Sequence, residues 1–290
     1  MYNETITLPN GIAAPKLGLG TWLIPDDAAA EAVRQAAAIG YRHFDTAQAY
    51  GNERGVSEGV RTCGVPREEL FVVSKVAAEH KSYAAAKQSI EKTLAVMELD
   101  YLDLMIIHSP QPWVEVNQSE NRYFEENREV WRALEDAYEA GKLRAIGVSN
   151  FLRGDIDSLR ETARVKPMVN QILAHISNTP LDLISYCADK GMILEAYSPV
   201  AHGEAIKNPQ IARMAEKYRV TIPQLCIRYD LQLGMIALPK TANPEHMKIN
   251  AAVDFVISDE DMESLKAMER IRDYGEASRF AVFGGKLNRN

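Results

Sequence analysis

The chain has 290 residues, 46% of them hydrophobic, enough to bury a large core as one domain or to divide it between two. A net charge of −7, spread without long acidic or basic runs, argues against nucleic acid or an anionic membrane as the main partner and toward a small molecule. Cys63, Cys187 and Cys226 are widely spaced and form no CxxC pair, so neither a disulfide framework nor a metal site is expected, and a reducing cytosol fits.

In chain order, Met1 to Thr5 lacks a basic stretch followed by an apolar core, and no apolar run approaches the ~20 residues that span a bilayer, so a soluble cytoplasmic protein is expected. Residues 4 to 13 alternate weakly around Pro9-Asn10-Gly11, which predicts a β-hairpin closing one end of the fold. Lys16 to Thr21 is the first core strand. Asp26 is then expected to cap a helix that carries Ala29, Val33, Ala36 and Ala37 on one face and stops at Gly40. The strand Tyr41 to Phe44 delivers Asp45 and, five residues on, Tyr50, before Asn52 caps the next helix. Lys75 closes the following apolar run, Leu70 to Ser74, and His108 closes the one after it, Tyr101 to Ile107. Helix, glycine and short apolar strand then recur at Gly141, Gly191 and Gly234.

Polar residues end eight such runs: Thr21, Asp45, Lys75, His108, Ser149-Asn150, Gln171, Tyr197 and Lys240. Eight βα units in succession predict a closed (β/α)8 barrel over residues 1–290, a single domain with an N-terminal hairpin cap, and in such barrels the strand C-termini share one mouth. Two stretches exceed an ordinary loop and could overhang that mouth: Ser109 to Tyr123, with Trp113, and the tail from Asp273 to Asn290, with Phe280, Phe283 and Gly284-Gly285.

An isolated phenol, with a pKa of about 10, donates a proton poorly at neutral pH, so a catalytic Tyr50 needs a nearby cation, and Lys75 on the next strand end can supply it. Asp45 would neutralise and orient the buried ammonium, and a neutral His108 could hydrogen-bond a carbonyl oxygen. Taken singly, each has an ordinary reading: helix cap, core aromatic, solvated strand end, satisfied buried histidine. Their joint placement on adjacent strand ends is what points to chemistry.

With its surrounding words, Gly40 to Ala47 followed by Tyr50-Gly51-Asn52-Glu53, this arrangement resembles the aldo-keto reductase family. The resemblance runs from Gly18-Leu19-Gly20-Thr21-Trp22 through Gly147 to Phe151, Ala196-Tyr197-Ser198-Pro199 and Leu238-Pro239-Lys240-Thr241. It implies an NADPH-dependent carbonyl reductase, with NADH also usable, acting as a monomer on small-molecule aldehydes, ketones, keto esters or dicarbonyls. Tyr50 would then be the proton donor, assisted by Asp45, Lys75 and His108. The resemblance also implies that Ser149, Asn150 and Gln171 hold the nicotinamide carboxamide, and that Tyr197 stacks on its ring. Thr21, Trp22, Asp45, Ser198 and Val200 would lie along the cofactor, and Lys240, Thr241, His246 and Asn250 would meet its adenosine phosphate end. Trp22, Tyr50, His108 and Trp113 would face the substrate. Gly18-Leu19-Gly20 is not the start of a Rossmann fingerprint, because position 23 is Leu and the helix begins only after Pro25; tight packing at a strand end is the better account.

The chain also departs from the family pattern. Ser109 stands where a Trp is usual, so Trp113 is the candidate replacement for a lost aromatic wall. His246 stands where an Arg is usual and Ile249 where an acid or amide is usual, which predicts a weaker grip on a 2′-phosphate. Two rival readings keep the barrel: a lyase using Lys75 as a Schiff base, and a nucleotide-binding sensor without turnover.

Overall fold

The computed structural model describes residues 4–284; Gly285 and the rest of the expected tail lie outside them. The hairpin pairs β1 (Thr5–Thr7) with β2 (Ala13–Pro15) in antiparallel fashion. Eight parallel strands follow, in sequence order around the sheet: β3 (Leu19–Gly20), β4 (His43–Asp45), β5 (Phe71–Val76), β6 (Leu104–Ile107), β7 (Ile146–Ser149), β8 (Val169–Leu173), β9 (Ile193–Tyr197) and β10 (Ile236–Leu238). The first and last meet through bridges Leu17 to Ala237 and Gly20 to Lys240, with Gly18 N donating to Ala237 O at 3.0 Å, and this seam closes the barrel.

Helices α1 (Asp26–Ile39), α2 (Glu53–Thr62), α3 (Tyr83–Met97), α4 (Phe124–Glu139), α5 (Arg153–Thr162) and α6 (Leu181–Asp189) alternate with strands β3 to β9. Between β9 and β10 lie α7 (Glu204–Lys207), α8 (Pro209–Lys217) and α9 (Ile222–Gln232), and α10 (Pro244–Ala251) and α11 (Asp259–Lys266) follow. Gly40 ends α1 at φ 124°, a conformation that costs a side-chain-bearing residue dearly.

Strand parity determines what faces the barrel interior. Along β5, Val72 and Val76 pack with the surrounding helices, whereas Phe71 and Val73 pack inside, over Leu8 and Ala14 of the hairpin region. Successive residues alternate sides, so Lys75 must follow Phe71 and Val73 inward. The same count carries His108 inward after Leu104 and Ile106, and Asp45 after His43.

The expected strands appear, most of them starting one or more residues later than the apolar runs suggested. Three local expectations are corrected. Asp26 is the first helical residue rather than a cap; its carboxylate crosses to α2, accepting from Gly55 N at 2.7 Å and pairing with Arg54. Asn52 makes no capping bond, because its side chain is buried and donates to Thr21 O and Ile24 O, both at 2.9 Å. Gln171 sits in the middle of β8 rather than at its end. His246 lies in α10, which α11 follows.

Candidate active site

A cavity of about 810 Å³ opens at the C-terminal ends of the strands. Lys75 lies at its base with no exposed surface, its Nζ donating to Asp45 Oδ1 at 2.6 Å and to Thr46 O at 2.8 Å. The ammonium stands 4.8 Å from the centre of the Tyr50 ring, which is carried on a single 3-10 turn after β4. Burial pushes the Lys75 pKa down, but Asp45 and Tyr50 together outweigh it and leave it above the ordinary lysine value. Burial likewise pushes the Tyr50 phenol up, by more than Lys75 pulls it down. The expectation of a lowered phenol pKa is thus half right: Lys75 acts in the expected direction, but the phenol stays protonated through neutrality. The His108 ring packs against Tyr50 with centroids 5.5 Å apart, and burial, aided by the charge of Lys75, holds its pKa well below the usual value, so it is neutral.

Farther along the cavity, whose lining it joins, Asn150 adopts φ 61°. Its Nδ2 donates to His108 O and Ser149 Oγ, both at 3.0 Å, and Tyr197 Oη donates to its Oδ1 at 2.7 Å. Gln171 donates through Nε2 to two carboxylates, Asp45 Oδ2 at 2.9 Å and Glu195 Oε2 at 2.8 Å. With both hydrogens committed, its amide oxygen is what Gln171 can offer a ligand. The cavity then continues past Ser198 and Val200 to Lys240, Thr241, His246 and Asn250. An amide-lined middle, an aromatic wall and a far end bearing Lys240 suit a long, anionic dinucleotide.

Of the residues expected here, Thr21 and Lys75 alone do not line the cavity. Lys75 acts from beneath. Thr21 is buried, its Oγ1 donating to Asp45 O at 2.9 Å, so it supports the strand ends rather than facing a cofactor.

Both expected overhangs cover the mouth. In the loop 109–123, Trp113 lines the cavity and sets its edge on His108 at 4.8 Å and 89°. Lys81 anchors the start of that loop, donating to Ser109 O at 3.1 Å and Pro110 O at 3.0 Å. In the tail, Phe280 meets Trp22 at 4.8 Å and Phe283 meets His202 at 4.5 Å. Asn117 Nδ2 donates to Ala281 O at 3.0 Å, tying one overhang to the other.

Sequence reasoning missed three side chains at or below this site. His43 and Glu195 are buried in the barrel interior, and both sit on inward-facing parity, a signal available in the strand alternation. His202 lines the cavity on a turn after β9 that carries left-handed φ values at Ala201 and His202, and nothing in the local pattern announces it.

The model of the Aldo/keto reductase family matches residues 16–270. A glyoxal reductase of Bacillus subtilis (strain 168) is 39% identical over 269 residues, covering 92% of this chain and 93% of its own. A 9,11-endoperoxide prostaglandin H2 reductase of Trypanosoma cruzi (strain CL Brener) is 36% identical over 279 residues, covering 94% of each. Among solved structures, an aldo-keto reductase from a Medee basin deep-sea metagenome library superposes with TM-score 0.84 at 34% identity, covering 91% of this chain and 94% of that one. The inward Asp45, Lys75 and His108 around Tyr50, the closed eight-stranded barrel and these matches agree: the chain belongs to the aldo-keto reductase family.

Proposed function

We propose that the chain, read as one barrel domain working as a monomer in the cytosol, reduces aldehydes and ketones to alcohols with NADPH. α-Dicarbonyls are included, a choice supported by the likeness to a glyoxal reductase. The observation that carries the reading is the convergence of a protonated Tyr50, a neutral His108 and the Lys75 to Asp45 ion pair at one end of a dinucleotide-sized cavity. NADPH, when bound, supplies the hydride. Ser149, Asn150 and the amide oxygen of Gln171 would hold the carboxamide, Tyr197 would stack on the ring, and Trp22, Ser198 and Val200 would line its course. Lys240, Thr241 and His246 would meet the 2′-phosphate, and Asn250 the adenine.

The residues then act in sequence. His108 directs a hydrogen bond at the carbonyl oxygen and fixes its approach. Tyr50 gives its proton to that oxygen as negative charge builds there, and the buried Lys75 ammonium stabilises the resulting phenolate. Asp45 keeps the ammonium charged and in place. Trp22, Trp113 and Phe280 wall the substrate end with apolar surface and exclude water.

The test is NADPH consumption with glyoxal and with a panel of aldehydes, ketones and α-keto esters. Tyr50→Phe should bind NADPH with ordinary affinity yet lose at least about a hundredfold in kcat, the usual scale for removing a general acid. Substantial residual turnover would remove Tyr50 from that role. The lyase alternative fares poorly: a Schiff base needs a neutral amine, and Lys75 is buried, ion-paired and held above its ordinary pKa. Borohydride with an aldehyde should therefore leave no adduct on Lys75.

A further inference from the structure

Beneath the mouth, His43 and Asp45 of β4, Lys75 of β5 and Glu195 of β9 share an almost wholly buried space, with Gln171 of β8 bridging Asp45 to Glu195. Asp45 and Lys75 neutralise each other as an ion pair. Glu195 and His43 are the remainder. The His43 Nδ1 lies 3.1 Å from Pro15 O, which can only accept, so Nδ1 carries the ring hydrogen and a neutral ring presents a lone pair at Nε2. That Nε2 faces Glu195 Oε1 at 3.9 Å, and both atoms are buried without a hydrogen-bond partner. At that separation no hydrogen bond joins them, and two acceptors out of water are most stable with one proton residing on the couple. Whichever atom holds it, the couple is then neutral; without it, the couple carries one negative charge that the Gln171 hydrogen bond and the Lys75 ammonium offset only in part.

A nicotinamide ring is cationic when oxidised and neutral when reduced, so a negative charge below it favours the oxidised form. We propose that Glu195 and His43 form a proton-holding pair under Gln171, and that the presence or absence of this proton sets which redox form of a nicotinamide the site prefers. The inference rests on reading the cavity as a nicotinamide site. Glu195 is thus a positioning residue, acting through Gln171 and through its charge.

The surroundings put the exchange near neutrality. Burial, and then the charge of Asp45, push the Glu195 carboxyl up to about 7, while burial holds the His43 ring below its usual value, so the proton resides on the carboxyl side and leaves to solvent as pH rises. The other groups facing the pair do not exchange protons in that range: Tyr50 is pushed up and His108 well down. Asp103, which also acts on His43 from the barrel floor, is matched by Arg67 and Arg144. Among the described residues, the rest of the His43 surroundings are uncharged: Phe71, with rings 4.9 Å apart, and Gly18, where a Cβ would lie 2.9 Å from the imidazole Cγ.

The test compares wild type with Glu195→Gln, whose amide can still accept from Gln171 and can donate to His43, mimicking the protonated couple at every pH. Dissociation constants for NADP+ and NADPH are measured by fluorescence titration at pH 6 and pH 8. The 2′-phosphate is common to both nucleotides, so its own protonation cancels in their ratio. In wild type the Kd for NADP+ divided by that for NADPH should fall by at least about threefold on going to pH 8, and in Glu195→Gln it should stay level. A level wild-type ratio, or an equal fall in both proteins, overturns the proposal.

A second arm needs no cofactor. Because the folded carboxyl at about 7 lies above its ordinary 4.5, the folded state binds more protons than the unfolded state between those values, and stability drains as pH rises. The Tm of Glu195→Gln minus that of wild type should therefore widen from pH 5 to pH 7, and a constant difference overturns the proton held by the pair. If neither nucleotide binds the wild type, the cofactor reading and the redox clause fail together, and the stability arm judges the pair alone.

Discussion

Lys75 shows how much one position can carry. Its ammonium is wholly buried and its charge is met by Asp45, so Lys75→Met should strand a buried carboxylate and cost about 3–5 kcal/mol in urea denaturation, besides abolishing turnover. A loss under about 1 kcal/mol would mean that the Gln171 hydrogen bond holds the Asp45 carboxylate adequately without the cation. At the other end of the cavity His246 stands where the family usually has Arg, and an imidazole lacks the two-pronged grip of a guanidinium. His246→Arg should therefore raise the ratio of NADPH to NADH affinity; an unchanged ratio would place residue 246 away from the phosphate. The proposed catalytic residues Asp45, Lys75 and His108 were legible from sequence because each gives abrupt polar character to the end of an apolar run. His43 and Glu195 escaped because neither ends an apolar run: His43 opens β4 after Arg42, and Glu195 lies inside β9 between Leu194 and Ala196.

Elements were legible where a single physical signal dominated, as in the glycine stops and the alternating strands. They were less so where tertiary contacts reassigned a local signal. Asp26 and Asn52 both have the chemistry of helix caps, yet each is drawn into a bond with another element, and no local pattern can foretell that. The pairing of α1 with α2 depends on the same region: a Cβ on Gly55 would lie 1.9 Å from Asp26 O, and one on Gly59 would lie 2.6 Å from Val33 Cβ. Gly55→Ala should force the helices apart and destabilise by roughly 1–3 kcal/mol, whereas Gly154→Ala, which meets nothing within 4 Å, should not. Equal Tm values for the two variants would show that α1 and α2 slide without cost. For the loop 109–123, Trp113→Ala should lower kcat/KM for bulky carbonyls far more than for small ones, since an aromatic wall acts through contact area. Uniform losses across a size series would make Trp113 a brace for His108 instead.

For the whole molecule, acid should be the weak side. Burial holds His175 down to about 4, so the unfolded chain binds a proton that the folded one refuses as pH falls from about 6.5. That stability is complete above the unfolded value and is lost toward pH 4, roughly 3 kcal/mol for this group, with His43 and His108 acting in the same direction and Glu195 opposing them. A Tm that does not fall between pH 6.5 and pH 4.5 would contradict the burial of these rings. The seam between β3 and β10 has a different consequence, one of time rather than energy. Its bonds, Gly18 N to Ala237 O, Gly20 N to Pro239 O and Ala237 N to Lys16 O, join stretches roughly two hundred residues apart, while every other strand pairs with its neighbour in sequence. Contacts that close the longest loop wait until the intervening chain has been ordered, so the amides of Gly18, Gly20 and Ala237 should be the last in the barrel to gain protection in pulse-labelled hydrogen exchange during refolding. Until that stitch is made, β3 and β10 are open edges, and refolding at high concentration should lead copies of the chain to pair there with one another.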